Sequence, residues 1–457
     1  MHWYSILPPI IAIVIVFWRK EVILALLAAI LSAEWLLAYQ NKSEVLFTGT
    51  IGSIERVIEI VVSAGNSRIL LFSVLIGALL AFMRYSGGVT ATVEMLINKG
   101  VAKSKKQVGL LTMFTGFVVF IESNLSVLAS GILARGLFDK FKMSRARLAY
   151  VIDSTSAPIC ILILLNGWGA FILALLSNYE FEQSAVSILW GTIPFNFYAL
   201  IALLLVLYTI LFDKVHGPMK DAEQDLAKLD GEQVAVPATK ARFMVLPLTC
   251  MILSMLGFMF WTGNGDLASG DGSKSVLYAT LLGCFVAYIL MLFSKQFSHK
   301  ELVDTGFKGM GEILPLVAIV LFSLTLGASL KELGTGIFVA GMVGDYLPIS
   351  LIVPVLFLAG GMMSFSTGTS WGTFAILIPI GVPLIQTLGL PPSLVIAAIL
   401  GGGVFGDHCS PISDTTAVSS IASGCDLLTH VRTQMPYALF GGALAFMAYF
   451  AASLIMI

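Results

Sequence analysis

Charge is what this chain has least of. Lys, Arg, Asp and Glu make up 12% of its 457 residues, against 58% hydrophobic residues. A soluble domain carries about 25% charged residues, so the composition excludes one and points to an integral membrane protein. Neither sign is in excess. The 26 basic side chains face 27 acidic ones, for a formal net charge of −1, which excludes the basic footprint of a nucleic-acid binder. Cysteine is sparse as well: Cys160, Cys250, Cys284, Cys409 and Cys425 are scattered, with no C-x-x-C pair. They are expected to be small apolar residues rather than a redox or zinc motif. The first apolar run, 6–17, lacks a basic stretch before it and is followed by Arg19 and Lys20. That pattern predicts a retained span, not a cleaved signal.

Against this apolar background the polar strings stand out. Residues 406–416 read Gly-Asp-His-Cys-Ser-Pro-Ile-Ser-Asp-Thr-Thr, between apolar flanks 393–404 and 417–424 that are each too short to cross a bilayer alone. Carboxylates, hydroxyls and a proline at that depth are tolerable only where protein encloses them. The string therefore predicts one interrupted helix, 393–424. Asp153-Ser154-Thr155-Ser156-Ala157-Pro158 interrupts 148–177 in the same way.

The order of features repeats. Residues 213–242 are charged and lack apolar periodicity, as a cytoplasmic linker would. Before it come expected spans near 6–18, 21–37 and 69–83. An apolar pair follows, 107–121 and 125–138, parted by Glu122-Ser123-Asn124. Its arms are shorter than the roughly 20 residues a crossing helix needs. Both outer ends are basic (Lys99, Lys103, Lys105 and Lys106; Arg135, Lys140, Lys142, Arg145 and Arg147), so the positive-inside rule makes the pair a re-entrant hairpin opening to the cytoplasm. The broken helix 148–177 and a span at 194–212 complete this half.

After the linker come spans near 243–261, 276–293 and 313–329. A second hairpin, 349–386, has arms 349–363 and 371–386 parted by 364–370. The broken helix 393–424 and a last span, 436–457, follow. The outer ends of the second hairpin, 344–348 and 389–393, carry no basic residue, so it is expected to enter from the opposite side. The expected fold is all-α and membrane-integral: two inverted repeats, 1–212 and 243–457, with about ten transmembrane helices, two re-entrant hairpins and two broken helices. Amphipathic stretches 46–64 and 300–312 would lie along the interface. Glu34, beside Trp35, would only anchor a helix end.

Inverted repeats with discontinuous helices gather a polar site at the bilayer midplane. Breaking a helix frees backbone groups that an ion or substrate can satisfy, and Pro158 and Pro411 would enforce the two breaks. Asp153, Asp407 and Asp414 fall inside interrupted helices, and Glu122 at a hairpin tip, with no Lys or Arg in either tip or break. That balance favours a cation, or a cargo carrying an ammonium. A carboxylate out of water can trade a proton for Na+, which is the simplest exchange mechanism. Asp414 could instead cap the following half-helix. Neither Asp153 nor Asp407 is expected to be needed for packing. Gly401, Gly402 and Gly403 are expected to permit close helix packing, since no P-loop Lys follows. No nucleophile–base pair or metal constellation suggests an enzyme.

The 406–416 string, with its Gly-Asp-x-x-Ser-Pro-x-Ser-Asp-Thr-Thr pattern, resembles the signature of NhaC-type Na+/H+ antiporters, within the wider ion-transporter superfamily. Thr367-Gly368-Thr369-Ser370-Trp371-Gly372 is similar to that family's second hairpin tip. The resemblance implies Ser123, Asn124, Asp153, Thr369, Ser370, Asp407, Ser410 and Asp414 as site residues. Glu122, Ser154, Thr155, Thr367, Ser413 and Thr415 join them as polar neighbours in the tips and breaks. It also implies Na+ near Asn124, Asp153, Thr369 and Asp407, a rigid transport domain moving against a scaffold, and a homodimer in a prokaryotic plasma membrane. The expected activity is Na+/H+ antiport, with no cofactor beyond the transported Na+ and H+. The alternative is Na+-coupled transport, as symporter or exchanger, of an amino acid or small organic acid.

Overall fold

The computed structural model describes residues 3–19, 21–88, 90, 91, 95, 104–224, 239–267, 270–335, 338 and 347–457, and every regular element among them is helical. Lys99, Lys103, Gly344 and the middle of the charged segment, 225–238, lie outside the described residues. Nine of the described helices are long and apolar enough to cross a membrane. The count is ten if the pair Arg145–Leu162 and Gly167–Leu176, bent by 44°, forms one span.

Two groups of helices share the chain. The first is α1 (Leu7–Arg19), α2 (Val22–Gln40), α3 (Val45–Val62) and α4 (Ala64–Tyr85). The second comprises the first hairpin, α5 (Lys105–Val118) and α6 (Ser123–Lys140), then the interrupted α7 (Arg145–Ser154), α8 (Ala157–Leu162) and α9 (Gly167–Leu176). The short α10 (Ala185–Gly191), α11 (Phe197–Leu211) and the short α12 (Pro218–Gln224) follow. The chain then returns to the first group through α13 (Arg242–Thr262), α14 (Gly272–Phe293) and α15 (His299–Leu333). It ends in the second group with the other hairpin, α16 (Ile349–Thr367) and α17 (Ser370–Leu388), the interrupted α18 (Pro392–Cys409) and α19 (Asp414–Ser423), and α20 (Leu427–Met456). Within the first group α4 packs on α14 and α15, α13 on α14, and α2 on α3 and α15. Within the second, α16 packs on α18, α19 on α6 and α7, and α20 on α11, α16 and α18.

Lipid offers no hydrophobic drive between helices, so close backbone approach must supply the contact. At the crossing of α4 and α15 a Cβ added to Gly77 would overlap the Gly309 carbonyl, and one added to Gly309 would overlap that of Gly77. Gly402 and Gly406 of α18 lie against the carbonyls of Phe357 and Gly361 of α16. These glycines pack helices.

Several boundaries differ from expectation, each for a local reason. Residues 300–312 and 313–329 form one helix, α15. A Ser298–Glu301 capping box starts it and Gly334, at φ 73°, ends it; its 35 residues run about 50 Å at 1.5 Å per residue. Each arm of the second hairpin has 19 residues, long enough to cross a membrane. Nothing between Ser364 and Thr367 stops α16; Gly368, at φ 69°, does. The last helix starts at Leu427, capped by Asp426, rather than near 436. Glu34 does more than anchor a helix end. It is buried, accepts the Ser329 hydroxyl at 2.7 Å and pairs with Arg56 of α3 at 2.9 Å. Large apolar side chains of α3, Phe47, Ile54 and Val62 among them, are exposed.

Candidate functional site

The first interruption has two breaks where the sequence suggested one. Helix α7 ends at Ser154, and α8 starts at Ala157 with Pro158 in its first turn. There the missing N–H of Pro158 costs nothing, because first-turn amides have no partner within the helix. The proline thus starts the second piece rather than kinking the first. A second break, at Ile163–Asn166, is organised by the buried Asn166. Its amide oxygen accepts from Trp168 N (2.9 Å) and Gly169 N (3.1 Å). Its amide nitrogen lies within reach of the carbonyls of Phe120 (3.0 Å), Cys160 (2.8 Å) and Ile163 (2.8 Å). One side chain thus serves five backbone groups that the breaks and the hairpin tip leave open.

In the second interruption α18 ends at Cys409. The Ser410 hydroxyl donates to Phe365 O of the hairpin arm at 2.7 Å, and Ser413 caps α19 by accepting Thr416 N. Gly368 at the hairpin tip rests on the Ile412 carbonyl, where any Cβ would overlap it. The tip of the first hairpin reaches both breaks. Ser156 Oγ donates to Ser123 O at 3.1 Å, and Asn124 Nδ2 donates to Asp414 Oδ2 at 3.4 Å.

The two breaks bring the carboxylates together. Asp153 Oδ2 accepts from Gln434 Nε2 (2.7 Å), His430 Nε2 (3.2 Å) and Thr416 Oγ1 (3.3 Å). The same Gln434 nitrogen lies 3.0 Å from His408 O, and the Thr416 hydroxyl 3.4 Å from Asp407 O. Asp153 is therefore joined to the end of α18 through two shared side chains. Asp407 Oδ2 accepts the Ser370 hydroxyl of the second hairpin at 2.5 Å. Asp153, Asp407, Thr416, His430 and Gln434 are all buried.

One oxygen of each central group makes no hydrogen bond. Among the described residues, Asp153 Oδ1, Asp407 Oδ1, Asn124 Oδ1 and Gln434 Oε1 are buried acceptors without a donor. Among the described residues, no Lys or Arg pairs with Asp153, Asp407 or Asp414; the nearest cationic candidate is His430 on Asp153. An unsatisfied buried acceptor costs about 1–3 kcal/mol, more when charged. Several of them around carboxylates make a place for a cation or an ammonium.

The other expected site residues divide by what their side chains do. Glu122 caps α6, accepting from Asn124 N (2.9 Å) and Leu125 N (2.7 Å). Asp414 sits in the first turn of α19, after the cap Ser413, and accepts Thr415 N at 2.8 Å. Several hydroxyls bond locally, as hydroxyls in helices often do: Thr155 to Val151 O (2.6 Å), Thr367 to Met363 O (3.0 Å), and Ser413 with Thr415 (3.1 Å). Ser154 is buried in the last turn of α7. Thr369 is the N-cap of α17, without a capping bond from its side chain.

The expectation that neither aspartate matters for packing fails for Asp153, which three donors address. Sequence reasoning also passed over His430, Gln434 and Asn166. Positions 430 and 434 are four apart, hence on one helical face, in a helix otherwise rich in apolar residues. That spacing was the available signal.

Beside the first hairpin tip, a cavity of about 200 Å³ separates Glu122, Asn124, Leu125 and Leu128 from α4 and α15. Its far wall carries the ion pair Arg84–Glu312.

The family model described as the Na+/H+ antiporter family matches residues 159–454. The chain belongs to this Na+/H+ antiporter family. It is a multi-pass membrane transporter, and the matched region holds the second hairpin, both pieces of its broken helix, and Gln434. An uncharacterized protein of Haemophilus influenzae is 30% identical over 464 residues, covering 95% of this chain and 88% of the relative. The malate-2H+/Na+-lactate antiporter of Bacillus subtilis is 34% identical over 165 residues, covering 34% of this chain and 33% of the relative. Among solved structures, the YdaH transporter of Alcanivorax borkumensis aligns with a TM-score of 0.61 at 12% identity, covering 89% of this chain and 87% of that one. At that identity the likeness concerns the fold alone.

Proposed function

We propose that this antiporter-family member exchanges Na+ for H+ at a site formed by Asp153 and Asp407, with Asn124, Asp414 and the Thr369–Ser370 tip completing it. One observation carries the reading: among the described residues four buried oxygens of the site lack donors, two of them on carboxylates, and no Lys or Arg pairs with those carboxylates. Water-poor surroundings penalise a bare carboxylate, so the site holds either a proton or a cation. Exclusion of one by the other is exchange. The carboxylates lie wholly in the second group of helices. The first group meets the tip across the small cavity, which supports an elevator-like movement of the second group against the first. We propose further that 1–212 and 243–457 act as inverted repeats joined by the 213–242 linker, and that the transporter works as a homodimer in a prokaryotic plasma membrane. The mass of the detergent-solubilised particle checks the dimer.

The test is a proteoliposome with an internal pH dye, energised by a proton gradient and free of organic solute. Added Na+ dissipates the gradient. Because protons compete for the same oxygens, the apparent KM for Na+ rises as pH falls, approaching tenfold per pH unit once the proton is the main occupant. Absence of any Na+ response from about pH 6.5 to 9 would defeat the reading.

The cavity beside Glu122 and Asn124 favours a second reading, coupled transport of an amino acid or small organic acid. At about 200 Å³ it is larger than a bare ion requires, and the Arg84–Glu312 pair on its wall matches the two charges of an amino acid. Counterflow of labelled lactate, malate or arginine in preloaded vesicles decides between the two. Uptake indifferent to Na+ counts against this one.

A further inference from the structure

A larger cavity, about 510 Å³, lies on the seam between the two helix groups and away from the Asp153–Asp407 site. On the side of the first group it is lined by Arg56 of α3 and by Ser323, Gly327, Lys331 and Glu332 of α15. On the other side stand Leu175 of α9, Asn178 and Tyr179 just beyond it, and Pro379 of α17. The charges here are arranged unequally. Arg56 is saturated by carboxylates: Glu34 at 2.9 Å, Glu59 at 3.0 Å, and Glu332. Lys331, by contrast, has no ion-pair partner among the described residues. The buried hydroxyl of Tyr179 has no hydrogen-bond partner among the described residues. It rests over Gly327, where an added Cβ would come within 2.9 Å of it.

A buried donor without an acceptor, beside a cation without an ion-pair partner, suits an anionic group. The wider balance speaks against a simple anion, because Arg56 and Lys331 together face three carboxylates. Glu332 gives Arg56 only one of its oxygens. The apolar lining (Leu175, Leu324, Ala328, Pro379) suits a short hydrocarbon. We infer that this cavity binds a small zwitterionic amino acid, its carboxylate on Lys331 and Tyr179, its ammonium on Glu332, and its apolar side chain against Leu175, Leu324 and Pro379. The occupant would touch both helix groups at once. A buried hydroxyl without a partner is costly to keep; the carboxylate of an amino acid satisfies it, and the exposed Lys331 supplies a cation at the rim.

The test uses full-length protein in nanodiscs and three probes: L-leucine, 4-methylpentanoate, which lacks the ammonium, and isoamylamine, which lacks the carboxylate. Calorimetry is expected to show L-leucine binding at least tenfold tighter than either analogue. Lys331→Met should weaken it at least tenfold, and Tyr179→Phe several-fold. Lys331 is exposed, so its variant tests the site without disturbing the fold. No leucine binding by the wild type would overturn the proposal. So would equal binding of leucine and 4-methylpentanoate, or full-strength leucine binding in Lys331→Met. Asp407→Asn separates the two sites: leucine binding lost there but kept in Lys331→Met would place the amino acid at the ion site instead. The Na+ response of the same purified wild-type protein is measured in proteoliposomes, so failure of Na+/H+ exchange registers separately.

Discussion

Asp407 and Asp153 are both buried aspartates of the proposed ion site, yet replacing them should have different consequences. Asp407 accepts its short hydrogen bond from Ser370, through Oδ2. An asparagine can present its carbonyl oxygen to the same hydroxyl. Turning one charge-assisted bond into a neutral one costs about 1 kcal/mol, partly offset because no charge is then buried. The thermal midpoint of Asp407→Asn should therefore stay within a few degrees of the wild type. Its grip on Na+ should not. A unit charge about 4 Å from a cation contributes about 4 kcal/mol at an effective dielectric of 20, nearly a thousandfold in affinity. Asp153 differs because Oδ2 gathers three donors. Asp153→Asn can keep all three through its carbonyl, at about 3 kcal/mol for the lost charge assistance. Asp153→Ala strands His430 and one Gln434 N–H, while Thr416 keeps Asp407 O, at about 1–3 kcal/mol for each stranded donor, and should melt well below Asp153→Asn. The assay pairs thermal unfolding in detergent with Na+-driven dye response in proteoliposomes. A well-folded Asp407→Asn whose Na+ KM lies within threefold of the wild type would refute the assignment.

Two structural predictions accompany it. Gly368→Ala forces a Cβ into the Ile412 carbonyl and into a left-handed backbone conformation at φ 69°, so the second tip separates from its break. A loss of about 2 kcal/mol or more in stability is expected, together with loss of exchange; a wild-type melting curve would contradict it. Asn166→Ala removes the partners of two amides and up to three carbonyls. It should destabilise the protein by about 2–5 kcal/mol, more than Thr155→Ala, whose hydroxyl bonds only its own helix. Equal melting temperatures for these two variants would sink the organising role given to Asn166.

Much of the local order was legible along the chain. The apolar background exposed Asp153, Asp407 and Pro411 as intrusions, because lipid admits polar groups only where protein encloses them. Scarcity of charge named the solvent, and the string 406–416 marked a broken helix. Turn chemistry was harder to read: α16 runs through three polar residues until Gly368 permits a left-handed exit, and α15 runs unbroken from its capping box to Gly334.

What the sequence by itself determined is the medium, the helical class and the positions of the polar interruptions, since these follow from local composition and backbone chemistry. Only the tertiary structure decided which groups those interruptions meet. The pairing of Asp153 with Gln434, 281 positions away, the sharing of Thr416 between the two breaks, and the use of Asn166 as common partner for a tip and two helix ends depend on helix packing. Packing is governed by contacts between residues far apart in the chain, so no single stretch of the chain encodes them.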